Sequence, residues 1–301
     1  MRIHGIINRR AGTLIGTDPD AFAEKLKAEY TAAGHELTLA VVEPSEIGAR
    51  LEETAKQNYD ALLIGGGDGS INAAASRLLG GNTALGILPL GTMNRLAREL
   101  RLSLGLDQIA SELAHSEPVQ IDVAEVNGRI FLCNSFIGLP PLISERRQSL
   151  RGLGFWERMA GYVRLPLDIS RSMRRLSLFI DDRKSPRAVR ALTVAVSNNT
   201  YAEEPNLIPK RRALDEGWLG LYISRHYTFW QTIWLLIRAS LGLWHGDPRF
   251  ERHKLHKLTI ASKRPQLRVS NDGEVIKLDT PLRYSIRPKA LTVLVPVRAE
   301  T

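Results

Sequence analysis

The chain has 301 residues, 44% of them hydrophobic and 24% charged, and carries a formal net charge of +9. This balance excludes a disordered chain and leaves enough length for two domains with buried cores. The single cysteine, Cys133, excludes an internal disulfide and a cysteine-based zinc site and suits a reducing compartment, while the positive excess calls for an anionic partner.

Arg2 to Ile7 reads as an apolar strand, too short for a signal peptide, followed by the polar turn Asn8-Arg9-Arg10-Ala11-Gly12. Phe22, Leu26, Tyr30 and Ala33 recur at helical spacing, with Gly34 at the expected C-cap. Leu37 to Val42 is a second strand, and Ser45 can cap a helix carrying Ile47, Leu51 and Ala55. Ala61 to Ile64 is a short buried strand that runs into the turn Gly65 to Gly69. Helical spacing resumes at Ile71, Ala74, Ala75, Leu78 and Leu79 and stops at Gly80-Gly81. Ala84 to Leu88 is a further strand, and after Pro89-Leu90-Gly91-Thr92 one more helical face follows at Met93, Leu96, Ala97 and Leu100. Strict alternation predicts an α/β domain over 1–118, a Rossmann-like parallel sheet covered on both faces. Ligands of such sheets bind beyond the carboxyl ends of the strands, where these glycine turns lie.

After Pro118 the pattern changes to short strands: Val119 to Val126 and Arg129 to Cys133 about Asn127-Gly128, then Leu176 to Ile180, Leu192 to Val196, Trp218 to Ile223 and Leu258 to Ala261. Val269 to Leu278 folds about Asp272-Gly273. This predicts a β-rich antiparallel sandwich over 119–290, with a last strand in 291–301 returning to the first domain. From Arg146 to Arg175 eight arginines face only Glu157 and Asp168, interleaved with Phe155, Trp156, Met159, Tyr162 and Val163. That stretch has two readings, an interfacial segment on an anionic leaflet or a solvated basic helix packed on the core. Phe229 to Leu243 is interrupted by Arg238 and is shorter than the roughly 20 apolar residues of a span. The helically spaced Tyr227, Phe229, Trp230, Ile233, Trp234 and Ile237 read as core. His4, His35 and His115 read as surface or packing residues, and His245, His253 and His256 lie in a basic, linker-like segment.

Three turns carry chemistry. Gly65-Gly66-Gly67-Asp68-Gly69-Ser70-Ile71-Asn72 joins a buried strand to a helix, where glycines let a ligand approach the backbone and the helix N-terminus favours phosphate. No Lys-Ser/Thr pair follows, so it is not a Walker A loop, and a Gly-x-Gly-x-x-Gly dinucleotide pattern is lacking. Asp68 adds a carboxylate able to hold Mg²⁺ or orient a nucleophile. Pro89-Leu90-Gly91-Thr92-Met93-Asn94 offers a glycine, a hydroxyl and an amide at the same sheet edge. Asn271-Asp272-Gly273-Glu274 is a hairpin turn that brings two carboxylates together. No Gly-x-Ser-x-Gly elbow is present, which argues against a serine hydrolase.

Taken in order, Gly-Gly-Asp-Gly-Ser at 66–70, Pro-Leu-Gly-Thr-Met-Asn at 89–94 and Asp-Gly-Glu at 272–274 resemble the diacylglycerol kinase catalytic domain family, which includes bacterial YegS-like lipid kinases and the sphingosine kinases. Ile121-Asp122-Val123 and Asn134-Ser135-Phe136-Ile137-Gly138-Leu139 are similar to the bacterial members. The resemblance implies an NAD-kinase-like nucleotide domain, a β-rich second domain, and ATP and a lipid meeting in the cleft between them. It implies that Gly66, Gly67, Asp68, Gly69, Ser70, Ile71, Asn72, Gly91, Thr92 and Asn94 contact the nucleotide, with Asn8 and Gly12 near its phosphates. Glu274 would accept the proton of the lipid hydroxyl, with Asp272 and Asp68 as further catalytic groups and Asp122 in the active-site network. Three positions depart from the family pattern: Arg9 replaces a proline, Arg95 replaces an aspartate, and Glu216, beside Asp215, replaces the aspartate of a metal turn.

These readings predict an ATP- and Mg²⁺-dependent lipid kinase in phospholipid metabolism, cytoplasmic, with peripheral association to an anionic membrane and no nucleic-acid partner. A nucleotide- and membrane-binding regulatory protein without turnover is the alternative, and an NAD kinase the next. The lipid is left open, as is the oligomeric state, a homodimer being one option.

Overall fold

The computed structural model describes residues 1–14, 16–54, 56–141, 144, 176–181, 186–202, 210–226, 228–241, 243 and 247–297. The arginine-rich stretch 146–175, Ala55, Tyr227 and His245 lie outside these residues, as do the side chains of Phe229 and Ile233. The chain divides into two compact units, residues 1–122 with 288–301 and residues 123–287.

The first unit alternates strand and helix as its periodicity predicts. Strands β1 (Arg2–Asn8), β2 (Glu36–Val42), β3 (Ala61–Gly66) and β4 (Ala84–Pro89) pair in parallel in the order β2-β1-β3-β4. Every residue of β3 and β4 is buried, because a parallel sheet is covered on both faces and these strands hold its centre. Helix α1 (Pro19–Ala32) starts where the Asp18 side chain accepts the Asp20 N–H at 3.0 Å, with proline in the first turn. It buries Phe22, Ala23, Leu26 and Tyr30, and Gly34 follows at φ +77°. Helix α2 (Ile47–Thr54) buries Ile47 and Leu51, and α3 (Asp68–Leu78) buries Ile71, Ala74, Ala75 and Leu78. The short α4 (Arg95–Glu99) buries Leu96 and Ala97. A fifth helix, α5 (Leu106–Ala114), goes beyond the predicted elements; it packs against α1 and buries Ile109, Ala110, Leu113 and Ala114.

The second unit is antiparallel. Its strands are the end of β5 (Ser116–Val126), β6 (Arg129–Phe131), β7 (Asn134–Gly138), β8 (Leu176–Asp181), β9 (Arg187–Ala191), β10 (Thr193–Asn198), β11 (Leu219–Ser224), β12 (Phe250–Leu255), β13 (Lys257–Ser262), β14 (Gln266–Asn271), β15 (Glu274–Asp279) and the start of β16 (Leu282–Pro296). One sheet runs β12-β11-β10-β7-β14-β15; in the other β16, β13, β8 and β9 follow in order, with β6 on β5. Val194, Leu221 and Val269 of the first sheet share a buried core with Leu178, Ile260 and Tyr284 of the second. Both predicted hairpins form: Asn127-Gly128 at φ +47° and +78°, and Asp272-Gly273 at φ +48° and +93°. Positive φ at both central residues matches the twist of the flanking strands. The segment read as linker-like around His253 is strand β12, paired residue for residue with β11 from Phe250 to Leu255. The last strand is longer than predicted. Its far end returns to the first unit, where Val293 pairs in parallel with Leu85 of β4.

Helix α6 (Phe229–Ser240) departs most from expectation. Trp230, Trp234 and Ile237, read from spacing as core, are all exposed. Among the described residues no helix is long and apolar enough to cross a membrane.

Candidate functional site

Three strand ends of the first unit converge at the carboxyl edge of its sheet. After β3, Gly67 caps α3 without a side chain, so no side-chain hydrogen bond closes the helix start. After β4, Gly91 lies directly against Gly67: a Cβ on Gly91 would sit 2.5 Å from the Gly67 Cα. Gly91 must lack a side chain for these backbones to come so close, whereas a Cβ on Gly67 would lie 3.6 Å from the Gly91 Cα. Asp68 ties the turns together, its Oδ1 accepting the Arg95 N–H at the start of α4 at 2.9 Å. The β1 turn joins the group. Thr13 N–H donates to Leu90 O at 3.1 Å, and a Cβ on Gly12 would lie 3.8 Å from Thr92 Oγ1. A Cβ on Gly66 would meet Ser70 Oγ at 2.8 Å and lie 3.9 Å from the Asn8 Cβ. Asn8, Gly12, Gly66, Gly67, Ser70, Gly91 and Thr92 therefore surround one backbone-lined cradle.

Two residues of the predicted contact set are held by contacts within the chain. Asn94, buried at φ +48°, donates from Nδ2 to Pro89 O and Gly91 O, both at 2.8 Å, and accepts the Gly91 N–H at 2.9 Å. Its amide staples the turn. Ile71 points into the core, and its N–H bonds Gly67 O within the helix. Arg9, where the resemblance calls for proline, forms an ion pair with Asp20 of α1 at 3.2 Å, and Arg10 pairs with Glu43 at 2.7 Å. Asp122 is fully buried at the end of this unit and accepts the Lys289 N–H at 2.8 Å, holding a backbone position at φ +50°. That contact is structural.

The second unit carries the carboxylate hairpin. Asp272 accepts three backbone N–H groups, from Leu132 at 2.6 Å, Cys133 at 2.8 Å and Asn134 at 2.9 Å. The carboxylate is engaged in fixing the hairpin to the β6–β7 corner. Glu274, two residues on, is exposed at the head of β15 and is paired in register with Asn271. Asn271 is buried, and neither of its amide atoms finds a hydrogen-bond partner among the described residues. Glu216 and Asp215 are the residues expected at a metal turn. Glu216 accepts the Thr200 hydroxyl at 2.6 Å and lies 3.8 Å from Arg212, while Asp215 is exposed. Among the described residues no three His, Cys, Asp or Glu side chains gather into a cation site.

Comparison with known proteins finds a family likeness in each half of the chain. Residues 2–126 match the diacylglycerol kinase catalytic domain family, and residues 164–295 match the YegS C-terminal NAD kinase beta sandwich-like domain. Each half of the chain is thus similar to one of these two domain families, in chain order. A diacylglycerol kinase of Staphylococcus saprophyticus is 24% identical over 264 residues, spanning 86% of this chain and 83% of that protein. A diacylglycerol kinase of Staphylococcus aureus strain RF122 is 24% identical over 262 residues, spanning 85% and 80%. A solved Bacillus anthracis diacylglycerol kinase shares the fold with a TM-score of 0.71 at 19% identity, over 97% of this chain and 96% of its own. A second solved chain from that organism reaches 0.76 at 21% identity, over 99% and 98%.

The glycine turns themselves were legible, because a run of glycines between a buried strand and a helix permits a close backbone approach. The roles of Asn94 and Asp272 were not. Each side chain is engaged by backbone groups that no spacing along the chain reveals. Sequence reasoning also passed over a buried relay in the second unit. Ser224 Oγ lies 3.0 Å from His226 Nδ1, and His226 Nε2 lies 3.2 Å from Asp247 Oδ2. The residue types are those of a hydrolase triad, but the ring nitrogens are used the other way round and all three side chains are buried, so the serine is not presented to a substrate. Ser224-x-His226 was the one local signal.

Proposed function

We propose that this protein transfers the γ-phosphate of ATP to the hydroxyl of a lipid, diacylglycerol or a relative of it. The observation that carries the reading is the backbone packing of Gly67 on Gly91. It sets two strand-to-helix turns side by side with no side chain between them, a shape that suits a chain of phosphates. ATP fits the residues present: the uncapped first turn of α3 offers N–H groups and the positive end of the helix dipole. Gly66, Gly67, Gly69 and Ser70 would hold its phosphates with Gly12, Gly91 and Thr92, beside Asn8 and Asn72. Mg²⁺ fits only as an ion carried in on those phosphates, which needs one or two protein carboxylates. Asp68 is the carboxylate nearest the cradle.

Phosphoryl transfer depends mainly on positioning and charge neutralisation, with a base assisting a hydroxyl that is a poor nucleophile while protonated. Glu274 is the base in this reading: exposed, on a rigid two-residue hairpin, and held by Asp272 through three backbone bonds. In this reading it takes the hydroxyl proton as the lipid oxygen bonds to the terminal phosphorus, while the bond from that phosphorus to the bridging oxygen breaks and ADP leaves.

The test is transfer of labelled γ-phosphate from ATP to a panel of lipids in mixed vesicles with Mg²⁺. A labelled lipid is expected, and Glu274→Gln should bind ATP as well as the wild type while losing at least about a hundredfold in turnover, the usual worth of a general base. A variant that retains most of its turnover removes Glu274 from the role. ATP binding with no transfer to any lipid would instead favour the regulatory reading, which Arg95 and the hydrogen-bonded Glu216 keep open. Labelled NADP formed from NAD would move the assignment to an NAD kinase.

A further inference from the structure

Helix α6 is an excursion from the six-stranded sheet, leaving after β11 and re-entering at β12. Its two feet are fastened together by the buried contact between His226 and Asp247, and Asp247 also accepts the Arg249 N–H at 2.8 Å. Between them the helix rests on the sheet through Leu235, which packs on the cluster of Tyr222, Phe250 and Ala195.

The opposite side of the helix is apolar as well. At 3.6 residues per turn, Trp230, Trp234, Ile237 and Leu241 fall in one stripe about 60° wide, well over 90° round from Leu235. The Leu241 N–H still bonds Ile237 O at 3.2 Å, so the stripe continues to that residue. Trp230 is 77% exposed, Trp234 57%, Ile237 44% and Leu241 57%. An ordinary surface helix turns polar side chains outward; a contiguous exposed apolar stripe marks a surface that meets something.

Charge beside the stripe selects what it meets. Phe250 packs on Tyr222 under the helix, so the alternation of β12 puts Arg252 and Lys254 on that same face, and both are exposed. Glu251 belongs to the other face, where it pairs with Arg187 at 2.9 Å and Arg225 at 2.6 Å. Tryptophan with flanking Arg and Lys is the composition of a segment lying at the headgroup level of an anionic bilayer. A second copy of the chain, itself at +9, would set these cations against cations.

We propose that the exposed face of α6, flanked by Arg252 and Lys254, docks this protein on an anionic phospholipid surface with Trp230 and Trp234 seated among the headgroups. This deepens the lipid-kinase reading, on which its purpose rests, by naming how the chain reaches a substrate that stays in its membrane. The test needs no turnover, so the two can fail separately.

The 301-residue protein is cosedimented, without ATP, with phosphatidylcholine vesicles that contain or lack phosphatidylglycerol. The wild type should bind the anionic vesicles, and Trp230→Ala with Trp234→Ala should bind them at least about tenfold more weakly. The single change Ile237→Glu should weaken binding in the same direction, and brominated lipid should quench less tryptophan fluorescence in the double variant. Arg252→Glu with Lys254→Glu should erase the preference for phosphatidylglycerol. Thermal melts establish which variants are folded before their binding is compared. A wild type that ignores anionic vesicles, or folded tryptophan variants that bind as well as it does, would overturn the proposal. A concentration-dependent dimer abolished by the tryptophan substitutions, with vesicle binding unchanged, would assign the face to a second copy instead.

Discussion

Gly91 has no room for a methyl group. Its Cβ would come within 2.5 Å of the Gly67 Cα and 2.8 Å of Asn94 Oδ1, and the first of these neighbours is backbone that cannot swing aside. Gly91→Ala should therefore spread the two turns. The expected cost is about 1–3 kcal/mol of stability, the usual penalty of overpacking, read from thermal melts. Affinity for a fluorescent ATP analogue should fall at least about tenfold, because the cradle loses its shape while its chemistry is intact. At this scale the sequence was informative where a residue type has few uses and uninformative where it has many. Glycine between a buried strand and a helix has few. Aspartate in a hairpin can be a base, a ligand or a brace, and only the three N–H donors from Leu132, Cys133 and Asn134 make Asp272 a brace.

Helix α6 is held at its feet by a carboxyl whose ionisation carries stability. Burial by itself pushes the Asp247 carboxyl up. The Arg249 N–H, the hydrogen bond to His226 and the charges of His226 and Arg238 outweigh it and hold the group below the usual carboxylate range. Ser224 faces the same relay through the other ring nitrogen of His226. A carboxyl lowered on folding contributes stability that is complete above its unfolded pKa, about 4, and is lost as pH falls through the folded value. Asp247→Asn should cost about 2 kcal/mol at neutral pH, as for a hydrogen bond to a charged group. Its denaturation midpoint should fall less steeply than the wild type's below about pH 4. Denaturant melts across that range check both, and an unchanged acid slope would remove Asp247 from the role. The hairpins at Asn127-Gly128 and Asp272-Gly273 were legible because two residues suffice to demand positive φ. Helix α6 was legible as a helix but not in its orientation: its spacing carries apolar groups on both sides, and only the sheet beneath Leu235 decides which side is covered.

The chain crosses twice between its units, in β5 and β16, and the first unit takes its last strand from residues 288–301. There Leu291, Val293 and Leu294 are buried, Gly80 N–H donates to Ala290 O at 3.0 Å, and Lys289 N–H bonds Asp122. At about 2 kcal/mol for each buried aliphatic side chain, these three contribute about 6 kcal/mol, comparable with the whole net stability of a domain. A chain ending at Arg287 should therefore lose the nucleotide unit: ATP-analogue binding should vanish and the melt should lose amplitude. A truncated chain that binds nucleotide normally would show that β16 is dispensable there. By itself the sequence determined the alternation of the first unit, the change to antiparallel strands after Pro118, both two-residue hairpins and the glycine turns. These are local matters, set by hydrophobic period and by φ preferences within a few residues. The tertiary structure decided that Gly67 meets Gly91, that Asp272 braces a corner 139 residues away in the chain, that β12 is a strand, and which side of α6 is left to solvent. Those depend on which buried faces and backbone groups remain to be satisfied once the strands have paired, and spacing along one chain does not encode them.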